Sequence, residues 1–116
     1  MHELRIARNI ATIVEEEVHD QDQEIKKVTR ILFKAGRMNK IVPELLYSNF
    51  TQIKKNRKLL EEADLIMEEI PIEIKCKECG ASTKIEQPLF KCQVCKSEDI
   101  EIISGQEMYI EDIYFD

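Results

Sequence analysis

The sequence predicts an α+β fold in which two helices and a small sheet carry an inserted, cysteine-rich module. Three observations support this prediction. Residues 4–18 repeat apolar side chains at spacings of three and four, as a helix with one buried face does. Four cysteines form two C-x2-C pairs within residues 76–95. Apolar and acidic side chains then alternate near the C-terminus, which is typical of a strand.

Composition limits the classes of function. The chain has 116 residues, of which 43% are apolar and 34% charged, so it is predicted to form a globular domain with room for a small metal-stapled module. No segment approaches the ~20 apolar residues of a membrane span, and we expect a cytoplasmic protein without a membrane partner. A net charge of −6 opposes binding to nucleic-acid phosphates, so nucleic acid is not an expected partner.

The first half of the chain is predicted to form helix, strand and helix. After the helix at 4–18, β-branched and aromatic residues at 25–35 predict a strand that stops at Gly36. Pro43 suits the first turn of a second helix, because a proline lacks only an N–H that would be unpaired there. This helix is expected to bury Leu45, Leu46, Phe50 and Ile53. Residues 59–63 either continue it or form a turn of their own.

The second half is predicted to contain the inserted module. A strand at 64–70 ends at the corner Pro71, and residues 72–103 hold both cysteine pairs. The last strand is too apolar to remain unpaired, and the small module has no core to cover it, so we expect it to return to the first sheet. The predicted domains are therefore 1–71 with 104–116, and the module 72–103.

The four cysteines are predicted to bind one metal ion. A C-x2-C turn brings two sulfurs to one ion at Zn–S distances of ~2.3 Å, and Gly80 after the first pair permits the positive φ that such a turn uses. The chain has only two histidines, His2 and His19, so the ligands are Cys76, Cys79, Cys92 and Cys95. Structural Zn(II) is favoured over a rubredoxin-like iron and over nickel or copper.

The paired cysteines also indicate a reducing compartment. A closed site of four thiolates leaves no open position for hydrolysis, and the sequence has no glycine-rich phosphate loop and no serine or cysteine beside a histidine. We therefore predict that the protein is not an enzyme.

The opening residues Met1-His2-Glu3 form a second candidate site. A terminal amine, an imidazole and the amides between them can chelate Ni(II) or Cu(II) in a square plane. Met1 is expected to be retained, because the bulky His2 follows it. Glu3 falls in the first helical turn, where the helix dipole favours a carboxylate, so capping is an alternative role for its side chain.

Four features in this order resemble the HypA/HybF family of hydrogenase maturation factors: Met1-His2-Glu3 opening a helix, a strand and helix, the two cysteine pairs, and Ser104-Gly105-x-Glu107 in the closing strand. The resemblance covers the whole chain. It implies a small mixed sheet with two helices and a zinc module. It also implies a nickel metallochaperone that binds Ni(II) transiently and works with a HypB-type nickel-binding NTPase. The nickel would go to the large-subunit precursor of nickel-iron hydrogenase or, in some organisms, to urease.

Carried over by position, the resemblance makes His2 the principal nickel ligand, with the Met1 amine and the amides of His2 and Glu3, and gives structural Zn(II) to the cysteines. Two features differ from some relatives. Residues 39–42 read Asn-Lys-Ile-Val where those relatives have an acidic residue linked to nickel, so no fifth or sixth nickel ligand is expected from this segment, and no histidine flanks the cysteine pairs. The alternative function is a zinc-ribbon adaptor that acts only through protein contacts. The oligomeric state stays open, with a homodimer among the candidates.

Overall fold

The computed structural model describes residues 2–21 and 24–116. The helices are α1 (His2–His19) and α2 (Pro43–Lys54), with short 3-10 turns at Arg37–Asn39 and Lys58–Leu60. The strands are β1 (Val28–Gly36), β2 (Asp64–Ile70), β3 (Ile72–Cys76), β4 (Ser82–Ile85), β5 (Ile100–Ser104) and β6 (Met108–Phe115). Within the described ranges, no helix combines the length and apolar character that a bilayer crossing requires.

The strands form two three-stranded sheets. One has the order β2-β1-β6 and the other the order β4-β3-β5. In the second sheet β3 is antiparallel to both neighbours, and it pairs Ile72 with Ile85 and Cys76 with Ile100. The position of β6 beside β1 confirms that the last strand returns to the sheet that precedes the module. The predicted α+β class, a small mixed sheet with two helices and an inserted zinc-ribbon-like module, is confirmed.

The chain divides into two compact units. The first unit comprises Met1–Phe33, Ile41–Glu68 and Ile110–Asp116, and the second comprises Lys34–Lys40 and Glu69–Tyr109. The assignment of a nickel-binding domain to 1–71 with 104–116, and of a zinc module to 72–103, stays a prediction.

The first unit is built around the packing of α1 against α2. Helix α1 buries one face, made of Ile6, Ala7, Ile10, Ala11, Val14 and Val18. Helix α2 buries Leu46 and Phe50, which lie four residues apart and therefore on one face. The prediction that Leu45 is also buried is wrong, because it lies one position off that face and is 49% exposed. Ile53 is half-buried.

The second unit has a small apolar core of its own. Ile72, Ile74 and Ile85 are buried in it, and four partly buried side chains pack against them: Met38, Phe90, Ile100 and Ile102. Phe90 thus belongs to the core of the second unit. Met38 comes from Lys34–Lys40, so a segment distant in sequence completes this unit.

Candidate metal sites

The four cysteine sulfurs converge on one point of the second unit. Their ligand atoms all lie within 4.8 Å of one another, and the Sγ atoms of Cys76 and Cys95, like those of Cys79 and Cys92, are 3.6 Å apart. A tetrahedral zinc ion with bonds of ~2.3 Å separates its sulfurs by ~3.8 Å. The observed spacing therefore fits one tetrahedral ion. Cys76 and Cys92 are buried, whereas Cys79 and Cys95 are exposed.

Backbone N–H groups surround the sulfurs of each pair. The N–H of Cys79 donates to Cys76 Sγ, and the N–H of Cys95 donates to Cys92 Sγ, both at 3.4 Å. Each turn ends on a residue in the left-handed region: Gly80 at φ +78° and Lys96 at φ +66°. The predicted positive φ at Gly80 is confirmed. The second pair reaches the same geometry with a lysine, which spacing alone did not indicate.

The closely spaced cysteine thiols differ in how readily they lose a proton. The N–H groups of Cys95 and Val94 lower the pKa of the Cys92 thiol to about 6 against the opposing effect of burial. For Cys95, the N–H of Ser97 lowers the pKa, but the Cys76 sulfur and burial outweigh it and raise the pKa to about 12. Four thiolates at this spacing need a nearby positive charge. A soft, tetrahedral ion such as Zn(II) suits this donor set.

The candidate nickel site lies at the start of α1. His2 and Glu3 are the first two described residues of that helix, and Met1, the predicted amine ligand, lies outside the described residues. The His2 side chain is 51% exposed, and its Nε2 lies 3.4 Å from Glu3 Oε2. An exposed imidazole at a helix start is accessible to an ion from solution.

Glu3 differs from His2 in being buried, with 7% of its surface exposed. Its Oε2 accepts a hydrogen bond from the Val42 N–H at 3.1 Å. This bond, the Glu3 N–H and the neighbouring His2 hold the pKa of the Glu3 carboxyl below its usual value. Val42 is thus a neighbour of the candidate site; the resemblance pointed to the segment 39–42, but sequence reasoning missed this hydrogen bond. Its contribution is a backbone N–H, which no residue type reveals.

The prediction that Ser104-Gly105-x-Glu107 lies in the closing strand is wrong: Ser104 ends β5, and residues 105–107 form the connection that precedes β6. The Glu107 carboxylate accepts the Gly105 N–H at 2.6 Å, and Ser104 Oγ donates to the Pro71 carbonyl at 2.8 Å. Asn39 Nδ2 lies within 3.1–3.4 Å of the carbonyl oxygens of Gly36, Gln106 and Glu107. The motif therefore fastens the segment after β1 to the segment before β6.

Comparison with known proteins gives a consistent result over nearly the whole chain. Residues 1–115 match the family described as HypA, hydrogenase/urease nickel incorporation, metallochaperone. The hydrogenase maturation factor HypA of Desulfatibacillum aliphaticivorans is 38% identical over 113 residues, which are 97% of this chain and 85% of that protein. The HypA of Aquifex aeolicus is 32% identical, with 97% and 96% of the two chains covered.

Solved structures with the same fold include the solution structure of the Ni metallochaperone HypA from Helicobacter pylori. Its TM-score is 0.68 at 22% identity, with 99% of this chain and 97% of that chain covered. A second solution structure of a HypA protein has a TM-score of 0.72 at 22% identity and covers 99% and 96% of the two chains. The matched residues 1–115 include both candidate metal sites, and the chain belongs to the HypA family of hydrogenase maturation factors.

Proposed function

We propose that this protein binds Ni(II) at its N-terminus and delivers it, with a HypB-type nickel-binding NTPase, to the large-subunit precursor of nickel-iron hydrogenase. The ligands would be the Met1 amine, the amides of His2 and Glu3, and His2 Nδ1. The observation that carries the proposal is the exposed imidazole of His2 at the start of α1 in a chain of the HypA family.

The helical start supports binding by backbone nitrogens. The first N–H groups of an α-helix have no acceptor within the helix, so a metal can replace the protons of the His2 and Glu3 amides without breaking a helical hydrogen bond. Helical residues also have ψ near about −42°, which turns successive nitrogens toward one side, whereas an extended chain points them apart. The first turn of α1 therefore favours a chelate of adjacent nitrogens.

Such a site is suited to cargo that must be released. Ni(II) displaces protons from the terminal amine, whose pKa is ~8, and from two amides, so its affinity falls as the pH decreases. A docked NTPase that moves one of these nitrogen ligands would also lower the affinity of the site for Ni(II). The proposed cargo role of the N-terminus is separate from the resident ion that we assign to the cysteines.

We further propose that Cys76, Cys79, Cys92 and Cys95 hold structural Zn(II). This proposal is supported by the sulfur spacing and by the N–H groups that face the sulfurs. Thiolates of this kind persist in a reducing compartment, and we propose that the protein works in the cytoplasm.

The test compares two single-histidine variants. His2→Ala, or acetylation of the Met1 amine, should abolish the absorption of square-planar Ni(II) at neutral pH and leave the zinc content unchanged. His19→Ala is the matched control, because it removes the other histidine from the opposite end of α1, and it should bind nickel normally. Equal nickel binding by the wild type and His2→Ala would refute the proposal and favour the zinc-ribbon adaptor.

A further inference from the structure

We propose that the Glu3 carboxylate is a positioning group for the nickel site, which fastens the metal-binding residues to the start of α2 through the Val42 N–H. The inference rests on the proposed nickel function. It assigns separate roles to two parts of one residue: the Glu3 amide binds the metal, and the Glu3 side chain holds that amide in place.

Helix α2 needs an acceptor at its start. Val42 is the N-cap residue of α2. Its side chain makes no capping hydrogen bond to any residue that the structure describes. In a capping box, a glutamate in the first turn of the same helix accepts the N–H of the N-cap residue. Here Glu3 Oε2 accepts that N–H from a different helix, at 3.1 Å. The carboxylate therefore links the first turns of α1 and α2.

The burial of Glu3 indicates that this link is not incidental. A carboxylate with 7% exposure has lost most of its water, and the Val42 N–H replaces part of that solvation. If the carboxylate moved to a metal outside, the N–H of Val42 would lose its acceptor. A role as a ligand thus competes with a hydrogen bond that is already formed, whereas a role in positioning uses it.

The same carboxylate faces the imidazole of His2. Glu3 Oε2 lies 3.4 Å from His2 Nε2, which favours a proton on Nε2 and leaves Nδ1 free for a metal. Nδ1 is also the ring nitrogen that can close a chelate with the amide of its own residue. One buried side chain thereby restricts both the amide plane and the ring nitrogen offered to Ni(II).

The experiment titrates full-length Glu3→Ala, Glu3→Gln and wild-type protein with Ni(II) alone and follows the square-planar absorption. Loss of a group that orients metal ligands typically costs 10–100-fold in affinity, and we expect a loss of about that size for Glu3→Ala. The shape of the absorption band should not change, because the carboxylate is not a ligand. Glu3→Gln keeps an acceptor for the Val42 N–H and should recover most of the affinity. Glu16→Ala removes an exposed carboxylate from the same helix and serves as the matched control.

A second variant tests the role of the Val42 N–H, which donates the hydrogen bond to Glu3. Val42→Pro removes the N–H and should weaken Ni(II) binding as Glu3→Ala does, with no further loss in the double variant. Hydrogen exchange at Val42 should be slow in the wild type and in Glu3→Gln, and fast in Glu3→Ala.

Three results would overturn the inference while the wild type still binds nickel. These are an unchanged affinity in Glu3→Ala, a Glu3→Gln variant as weak as Glu3→Ala, and an altered absorption band in Glu3→Ala, which would make the carboxylate a ligand. Absence of the square-planar band in the wild type would instead refute the proposed function, and the inference with it.

Discussion

Gly36 and Gly105 approach each other so closely that a Cβ added to Gly36 would lie 2.1 Å from the carbonyl carbon and oxygen of Gly105. The backbone of Gly36 has φ −66°, a conformation that any residue can adopt. A glycine is therefore required at position 36 because there is no room for a Cβ, and not because of its backbone conformation. The approach is held by hydrogen bonds from the Gly36 N–H to the Glu107 carbonyl at 2.6 Å and from the Met38 N–H to the Gly105 carbonyl at 2.9 Å.

Gly36→Ala should be strongly destabilising, because the new methyl group meets main-chain atoms that cannot rotate away. Overpacking typically costs 1–3 kcal/mol, and we expect a loss of at least about 3 kcal/mol in the free energy of unfolding. Urea denaturation with zinc present measures it. Gly80→Ala is the control: its Cβ would meet no described atom within 4 Å, and its φ of +78° alone should cost ~1 kcal/mol. Equal losses in the two variants would contradict the explanation.

The helices and the cysteine site were predictable because their signals are local. The spacing of Ile6, Ile10 and Val14 shows which face of α1 is buried, and a C-x2-C pair determines its own turn. The place of β6 followed from its apolar alternation, since such a strand needs a neighbour.

Two contacts were not predictable from the sequence, because one is made by a backbone group and the other by a segment distant in the chain. The partner of Glu3 is the N–H of Val42, and a backbone N–H leaves no signal in residue type. Met38 lies among the polar residues Arg37, Asn39 and Lys40, yet it packs on the core of the second unit because the turn after Gly36 is hydrogen-bonded to residues 105–107. The exposure of Leu45 has a different cause: a shift of one position along a helix is enough to move a side chain from the core to the solvent, and the sequence did not place the buried face of α2 that finely.

The adjacent residues Leu45 and Leu46 offer a direct test of which face of α2 is buried. Leu46 is fully buried, and Leu46→Ala should cost ~2–5 kcal/mol of unfolding free energy through lost burial and the cavity left behind. Leu45→Ala removes the same atoms from a half-exposed position and should cost less than about 1 kcal/mol. Chemical denaturation of both variants measures the difference. A larger loss for Leu45→Ala would mean that the helix is rotated.

Removal of the metal should affect the two units differently. The second unit has a core of few apolar side chains, and small domains of this kind depend on a metal for stability. After chelation, amides of β3 and β5 should exchange much faster, whereas those of α1 should change little because that helix packs in the first unit. Hydrogen exchange followed by mass spectrometry measures both, and added zinc should restore the protection. Equal loosening of α1 and β3 would contradict the expectation that the metal stabilises mainly the second unit.

The stability of the metal-free protein should pass through a maximum near pH 9. The pKa of Cys92 falls from 9.0 to about 6 on folding, so between these values the unfolded chain binds more protons. Stability from Cys92 is therefore fully present above pH 9 and is lost as the pH falls toward 6.

Cys95 has the opposite dependence, because folding raises its pKa from 9.0 to about 12. Its contribution is fully present below pH 9 and is lost as the pH rises toward 12, where the unfolded chain has released a proton that the folded chain retains. Unfolding free energies across this range measure both limbs. Cys92→Ser should flatten the acidic limb more than the alkaline limb, and Cys95→Ser the alkaline limb more than the acidic one, since serine at 95 keeps the N–H that faces Cys92. If neither variant changed its own limb, other groups would control the pH dependence.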